Sequence, residues 1–443
     1  MTAAAFGEKL LAEVQQESLA DILCDVRNSV LEAFDGQDES SCLGIKPIDE
    51  LLQLFRVATA SRPQGGQQQT GQPAASEEQV PVHDGQEGYA PPERSRALER
   101  VPTGPRDPII EITSPSSGDG KTSLLYYITA IGVLPPSLDG VHLGGKGGTV
   151  VFLDTDFRFD AERLRDVLVR IVRDRMYAQD TTTQQEDQEA NTQIKQALEL
   201  TVGECLRHVH VFRPQSSLAL LATIRSLESY LLAGDHVSHA RKVHAIVLDS
   251  ASAFYWQDRR EAELLSIPGV REERKVGGST ASVSTSESEI MTMSQVSQET
   301  ISSLRHLQRI FCCAIVYTTW GLQRASHPRP YYSGQDPSAH SIPDSLSFRP
   351  YLPRPWPTFP TLRLVVQRDA VRPFAPLMSI DEAERDAPSR QGVVARGEFS
   401  AWVDMWGSEN WAPGVAERVA GKGTFGFWVR SDGVGGFTDW SAS

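Results

Sequence analysis

The sequence predicts an α/β fold, a mostly parallel sheet with helices on both faces. Three observations predict it. Short runs that are apolar at every position recur along the chain, as expected of strands buried on both faces. Segments with apolar residues at helical spacing fall between those runs. A glycine-rich segment, SPSSGDGKTS at 114–123, joins the first run to its helix.

Residues 8–34 carry Leu10, Leu11, Val14, Ile22, Val26 and Val30 at helical spacing, and a short helix is expected at Ile48–Phe55 after Pro47. Residues 1–58 are thus read as an N-terminal helical segment. Residues 59–107, with QGGQQQTGQPAASEEQ at their centre, have the composition of a disordered insertion. The core is expected at 108–443. Strands are predicted at Ile109–Thr113, Thr149–Asp154, Val209–Phe212, Val243–Asp249, Phe311–Thr318 and Leu362–Val366. Helices are predicted at Thr122–Val133, Ala161–Arg175, Leu218–Leu232 and Thr300–Arg309. Polar tracts near 178–195, 266–300 and 321–360 read as insertions into this core.

The chain has 443 residues and a formal charge of −14. That balance argues against a protein that coats nucleic acid through bulk charge. A hydrophobic share of 40% suffices for a sizeable core. Five scattered cysteines give no disulfide framework, and none has a Cys or His neighbour at metal-ligand spacing. The N-terminus acquires acidic residues at once, so no signal peptide is expected. The longest strongly apolar run, Ile310–Tyr317, is far short of a bilayer span. The expectation is a soluble intracellular protein with no membrane partner.

A phosphate-binding loop needs glycines so that backbone N–H groups can wrap the anion. It also needs a lysine, and a hydroxyl for Mg²⁺, at a helix N-terminus. Gly118, Asp119, Gly120, Lys121, Thr122 and Ser123 occupy such a segment and are the candidate nucleotide-binding residues. Pro115 stands where the first glycine of the common pattern falls, and proline offers no N–H. A glycine turn with a chance Gly-Lys-Thr is the competing reading, and the strand–loop–helix context favours the phosphate loop. Asp249, ending the apolar run VHAIVLD, is the second candidate, with Thr122, for holding Mg²⁺ at the carboxyl edge of the sheet. Asp156, in LDTD after the next strand, is the candidate catalytic base.

These residues resemble a known family. IIEITSPSSGDGKTSLLYYITAIGVLPP, VVFLDTDFRFDAERL, HAIVLDSASAFYWQDR and CAIVYTTWGLQRAS look like the RecA-type recombinases, and in particular their eukaryotic DNA-repair paralogues. The resemblance covers Ile109–Ser326, with a weaker match at Gly44–Leu52. It implies a RecA-like core that binds ATP and Mg²⁺ through Lys121, Thr122 and Asp249. It implies a nuclear role in homologous-recombination repair of double-strand breaks, within a hetero-oligomeric complex of recombinase paralogues. Active members place a glutamate where Asp156 stands and commonly a glutamine where Trp320 stands. With Pro115 these are three departures at hydrolytic positions, so nucleotide binding is expected to outlast catalysis. A DNA-dependent ATPase or filament-forming recombinase, and a nucleotide-independent scaffold, are the alternatives.

The family's second DNA-facing loop corresponds to 321–360. That tract carries Arg324, Arg329, Arg349 and Arg354, interleaved with Tyr331, Tyr332, Phe348, Tyr351, Trp356 and Phe359. Arginines on phosphates with aromatics on bases is one reading, a local single-stranded DNA contact. Aromatics tucked onto the core or a partner is the other, with equal standing. Phe55-Arg56-Val57-Ala58 resembles the polymerisation plug of recombinases but lies on the wrong side of GIKPIDELL, so Phe55 is read as a helix end. The run Ala253–Trp256 is read as packing or a partner contact.

Overall fold

A computed structural model describes residues 42–60, 108–179, 188–267, 291–321, 351–369 and 377–440. The elements run α1 (Lys46–Ala60), β1 (Ile109–Ser114), α2 (Lys121–Val133), β2 (Ser137–Leu138), β3 (Val141–His142), β4 (Thr149–Asp154), α3 (Ala161–Gln179), α4 (Gln188–Leu206) and β5 (Val209–Phe212). They continue α5 (Ser217–Leu232), β6 (Val243–Asp249), α6 (Tyr255–Leu265), α7 (Met293–Phe311), β7 (Ala314–Trp320) and β8 (Leu362–Arg368). The last are α8 (Ile380–Arg396), β9 (Glu398–Val403), α9 (Val415–Ala420), β10 (Thr424–Arg430) and β11 (Gly433–Phe437).

Every residue of β1, β4 and β6 is buried, which is why these strands are mostly apolar rather than alternating. The main sheet has the order β11-β10-β9-β8-β1-β7-β6-β4-β5. From β8 to β5 all neighbours pair in parallel; from β8 to β11 all pair antiparallel. Strand β7 lies between β1 and β6, so the loop after β1 and the carboxylate ending β6 emerge on one sheet edge. One core cluster packs α1, α2, α3 and the C-terminal strands on one face. A second packs α5 and α7 on the other. This is an α/β core of the RecA type.

The structure differs from the sequence expectations at several boundaries. Helix α7 begins at Met293 rather than Thr300, because Thr292 and Gln295 close a capping box there. The polar tract 266–300 is therefore shorter than its composition suggests. Helix α4 begins at Gln188, inside the tract expected at 178–195. Strand β7 begins at Ala314, three residues later than expected, because Phe311 ends α7 and Cys312 caps it with φ 46°. Cys312 is accordingly half-buried, while Cys313 is buried. The tract 321–360 is overturned at its end: Leu352, Trp356 and Phe359 are core residues beside Tyr317. In the expected N-terminal segment, Leu43, Ile45, Ile48 and Leu51 pack into the main cluster. The expectations for 8–34 and 61–107 lie outside the described residues.

The C-terminal antiparallel strands were not anticipated. They lock onto α1: Lys46 pairs with Asp439 at 2.6 Å, Trp440 Nε1 donates to the Pro47 carbonyl, and Phe55 meets Trp411 edge-on. Phe55 is thus a packed helix residue, but not the helix end that the sequence suggests, since the helix runs on to Ala60.

Candidate nucleotide-binding site

Strand β1 ends at Ser114, and the chain turns through 115–120 into α2. Gly118 and Gly120 have φ 89° and 91°, a left-handed conformation that L side chains rarely adopt. At Gly120 the space for a side chain is also tight. A Cβ there would lie 3.1 Å from the rings of Phe399 and Phe427, which stack on each other beneath the loop. The Asp119 side chain is buried and turned into the loop, accepting from Ser116 N at 2.7 Å and from Arg368 N on β8. Its contribution to an anion site is thus to hold the loop shape, since its own charge would repel a phosphate. Ser123 is buried and accepts from Arg163 Nη2 at 2.9 Å, which ties α2 to α3.

Lys121 is the first residue of α2, at the positive end of the helix. Its ammonium donates to Ser114 Oγ. Burial pushes its pKa down, opposed by the carboxylates of Asp119, Asp249 and Asp156. Thr122 Oγ1 donates to Asp249 Oδ2 at 2.9 Å, and Thr318 Oγ1 on β7 donates to Oδ1 at 2.6 Å. Burial raises the Asp249 pKa, while these two hydroxyls act the other way. The structure therefore brings Gly118, Gly120, Lys121, Thr122 and Asp249 to one place.

A hydroxyl beside one carboxylate, at a helix N-terminus lined with glycine N–H groups, suits a hard divalent cation that keeps waters and phosphate oxygens as its other ligands. Among the described residues no cluster of three His, Cys, Asp or Glu side chains could cage a metal by itself. The donor set thus fits Mg²⁺ held together with a nucleotide.

The β4 edge stands alongside. Asp156 N donates to the Asp249 carbonyl, and Thr155 N to the same oxygen at 2.9 Å. Thr155 Oγ1 and the Ser250 backbone also exchange bonds at 2.6 and 2.7 Å. Asp156 is half-buried, and burial first, then the charge of Asp249, raises its pKa. Asp154 is fully engaged: it accepts from Arg158 N, Phe159 N and Arg213 Nε at 2.9 to 3.0 Å. Trp320 ends β7 opposite Ser114 in the parallel register and is 45% exposed. Pro115 sits half-buried at the loop entry.

Sequence reasoning missed Ser114, Thr318, Phe399 and Phe427. Thr318 and the two phenylalanines carry no local motif, since their partners lie far away in sequence. Of the four arginines proposed to meet DNA, Arg354 is exposed, whereas Arg324, Arg329 and Arg349 lie outside the described residues, as do Tyr331, Tyr332 and Phe348. Trp356 and Phe359 are 5% and 2% exposed, so they are core residues and no base can stack on them. Tyr351 packs edge-on against Tyr255, which also meets Trp256, so the Ala253–Trp256 run is in part packing. Among the described residues no helix is long and apolar enough to cross a membrane.

No protein-family model matches the chain. It is 24% identical over 292 residues to the DNA repair protein XRCC2 homolog of Arabidopsis thaliana, covering 62% of this chain and 72% of that protein. It is 27% identical over 261 residues to the DNA repair protein XRCC2 of Mus musculus, covering 59% of this chain and 72% of that protein. With the sheet order and the loop after β1, these similarities support an XRCC2-like DNA-repair paralogue of the RecA type.

Proposed function

We propose that this chain is an ATP-binding recombinase paralogue that acts in homologous-recombination repair of DNA, as a mediator within a complex of paralogues in the nucleus, with little or no hydrolysis. The observation that carries the nucleotide reading is the Thr122–Asp249 contact of 2.9 Å beside Lys121, on a loop with two left-handed glycines. Backbone N–H groups of 118–123 and the Lys121 ammonium would hold the phosphates. Thr122 and Asp249 would hold Mg²⁺, which when bound neutralises phosphate charge.

The reading of weak turnover rests on the β4 edge and the end of β7. Asp156 is one methylene shorter than the glutamate that active members use, and Trp320 has no amide to sense a terminal phosphate. The names of the two relatives support the repair setting, and paralogue partners and a nuclear location follow from it. Single-stranded DNA contact would be local, with Arg354 the one described candidate.

One observation favours a second reading. A carboxyl whose pKa is raised, as at Asp156, is better matched to general-base work near neutral pH. A steady-state ATPase rate that rises with single-stranded DNA and falls in Asp156→Ala would favour that reading. The primary test is equilibrium binding of ATP with and without Mg²⁺. Wild type is expected to bind in a Mg²⁺-dependent way and Lys121→Ala to lose about a hundredfold or more, from charge-assisted bonds worth ~1.5–3 kcal/mol each. Equal affinity in the two proteins contradicts the assignment of the loop.

A further inference from the structure

The turn after β4, residues 155–159, is fixed from several sides. The Asp154 carboxylate accepts from the backbone N–H groups of Arg158 and Phe159, and Arg213 bonds both Asp154 and the Phe159 carbonyl at 3.0 and 2.7 Å. Asp160 N donates to Tyr126 Oη at 2.6 Å, and the Tyr126 ring stacks on Phe159. Thr155 ties the start of the turn to Ser250. Within this scaffold Phe157 has φ 57° and is 49% exposed. A bulky residue held left-handed is strained by roughly 1–2 kcal/mol, and such strain persists where surrounding contacts over-determine it.

The strained residue separates two charged side chains, Asp156 and Arg158. The Arg158 guanidinium is exposed and makes no hydrogen bond or ion pair among the described residues. Its charge is nonetheless felt both at Lys121 and at Asp156. Its neighbours on the sheet edge are accounted for. Arg213 is engaged by Asp154, and Arg163 by Ser123 and the Tyr126 ring. An uncommitted cation on a rigid turn, beside the lysine of a phosphate loop, is a preorganised anion contact. It costs little ordering of backbone when the anion arrives.

We propose that Arg158 is a phosphate-binding residue of this site, reaching from the β4 edge to the terminal phosphate of a nucleoside triphosphate, opposite Lys121. Arg158 lies two residues beyond Asp156, on a turn whose start bonds the backbone carbonyl of Asp249, whose carboxylate pairs with Thr122. A contact from this turn to the end of the phosphate chain would distinguish triphosphate from diphosphate. Phe157, left-handed, turns the chain so that Asp156 and Arg158 serve the same space. This inference rests on the nucleotide reading above.

The test is competition of ATP, and separately of ADP, in Mg²⁺, against a fluorescent ADP analogue on the full chain. Wild type, Arg158→Ala, Arg158→Lys and Lys121→Ala are compared, with melting curves to confirm folding. Arg158→Ala is expected to weaken ATP about tenfold, the loss of one charge-assisted contact, and to leave ADP within about twofold. Arg158→Lys is expected to recover part of the ATP affinity. Unchanged ATP affinity in Arg158→Ala, while Lys121→Ala loses both nucleotides, overturns the role of Arg158 and leaves the site standing. An equal loss of ATP and ADP in Arg158→Ala overturns the contact with the terminal phosphate. Absence of binding by wild type itself overturns the nucleotide reading and this inference with it.

Discussion

From β5 to β8 the sheet is parallel and mostly apolar, and its carboxyl edge carries Lys121, Thr122, Asp249 and Asp156; from β8 to β11 it is antiparallel and carries none of them. The second half still reaches the site. Phe399 on β9 and Phe427 on β10 form the floor under Gly120, and Arg368 at the end of β8 bonds Asp119. The parallel half supplies the polar groups, and the antiparallel half fixes the shape of the loop that presents them. Chemistry and support are thus separated along one sheet, and a change in the support should be felt at the chemistry.

Gly120→Ala attacks the seam between the halves. Its new Cβ would press on both phenylalanines at a backbone angle unsuited to alanine, for a cost of about 2–4 kcal/mol. Gly118→Ala sharpens the comparison, because nothing lies within 4 Å of its Cβ and only the backbone strain of ~1–2 kcal/mol remains. Urea unfolding of the two variants measures the difference; equal losses would mean that the phenylalanine floor contributes nothing.

A smaller effect separates the halves by pH. His244 lies within β6 of the parallel half, buried against Gly132 and Gly148, and its Nε2 has no hydrogen-bond partner among the described residues. Burial and then the charges of Lys146 and Lys242 push its pKa down to about 3. The unfolded chain takes up the proton below pH ~6.5 while the folded chain does not, so stability falls with falling pH. Between pH 7 and pH 5 the loss from this residue is about 2 kcal/mol, read by urea unfolding at the two pH values. His244→Leu should remove that part of the slope. An unchanged slope would show that the imidazole accepts its proton in place.

How much of this was legible follows from the same division. The inner strands of the parallel half are buried on both faces, so their apolar runs stand out, and three strands of this half match the sequence reading at both ends. Phosphate loops are local, so Gly118, Gly120, Lys121 and Thr122 could be read from adjacent residues, and Asp249 from the end of its strand. The antiparallel half is legible in neither way. Strand β9 runs from an exposed Glu398 through a half-buried Ser400 to three buried residues, a pattern with neither a clean alternation nor a full apolar run, and β11 is GVGGF, whose glycines carry no hydrophobic signal. The start of α7 was hidden for a different reason: its capping box, Thr292 to Gln295, sits in a serine-rich stretch that reads as loop by composition. Trp356 and Phe359 were open to two readings because a Pro-rich segment gives no period by which burial could be told from exposure.

The proposed separation of binding from turnover is tested most directly by the fate of bound nucleotide. The purified chain, loaded with ATP and Mg²⁺, is quenched over time with and without single-stranded DNA, and the released nucleotide is separated by chromatography. The account predicts that the nucleotide recovered from wild type remains predominantly triphosphate under both conditions. Conversion to diphosphate that accelerates with DNA and stops in Asp156→Ala would contradict it.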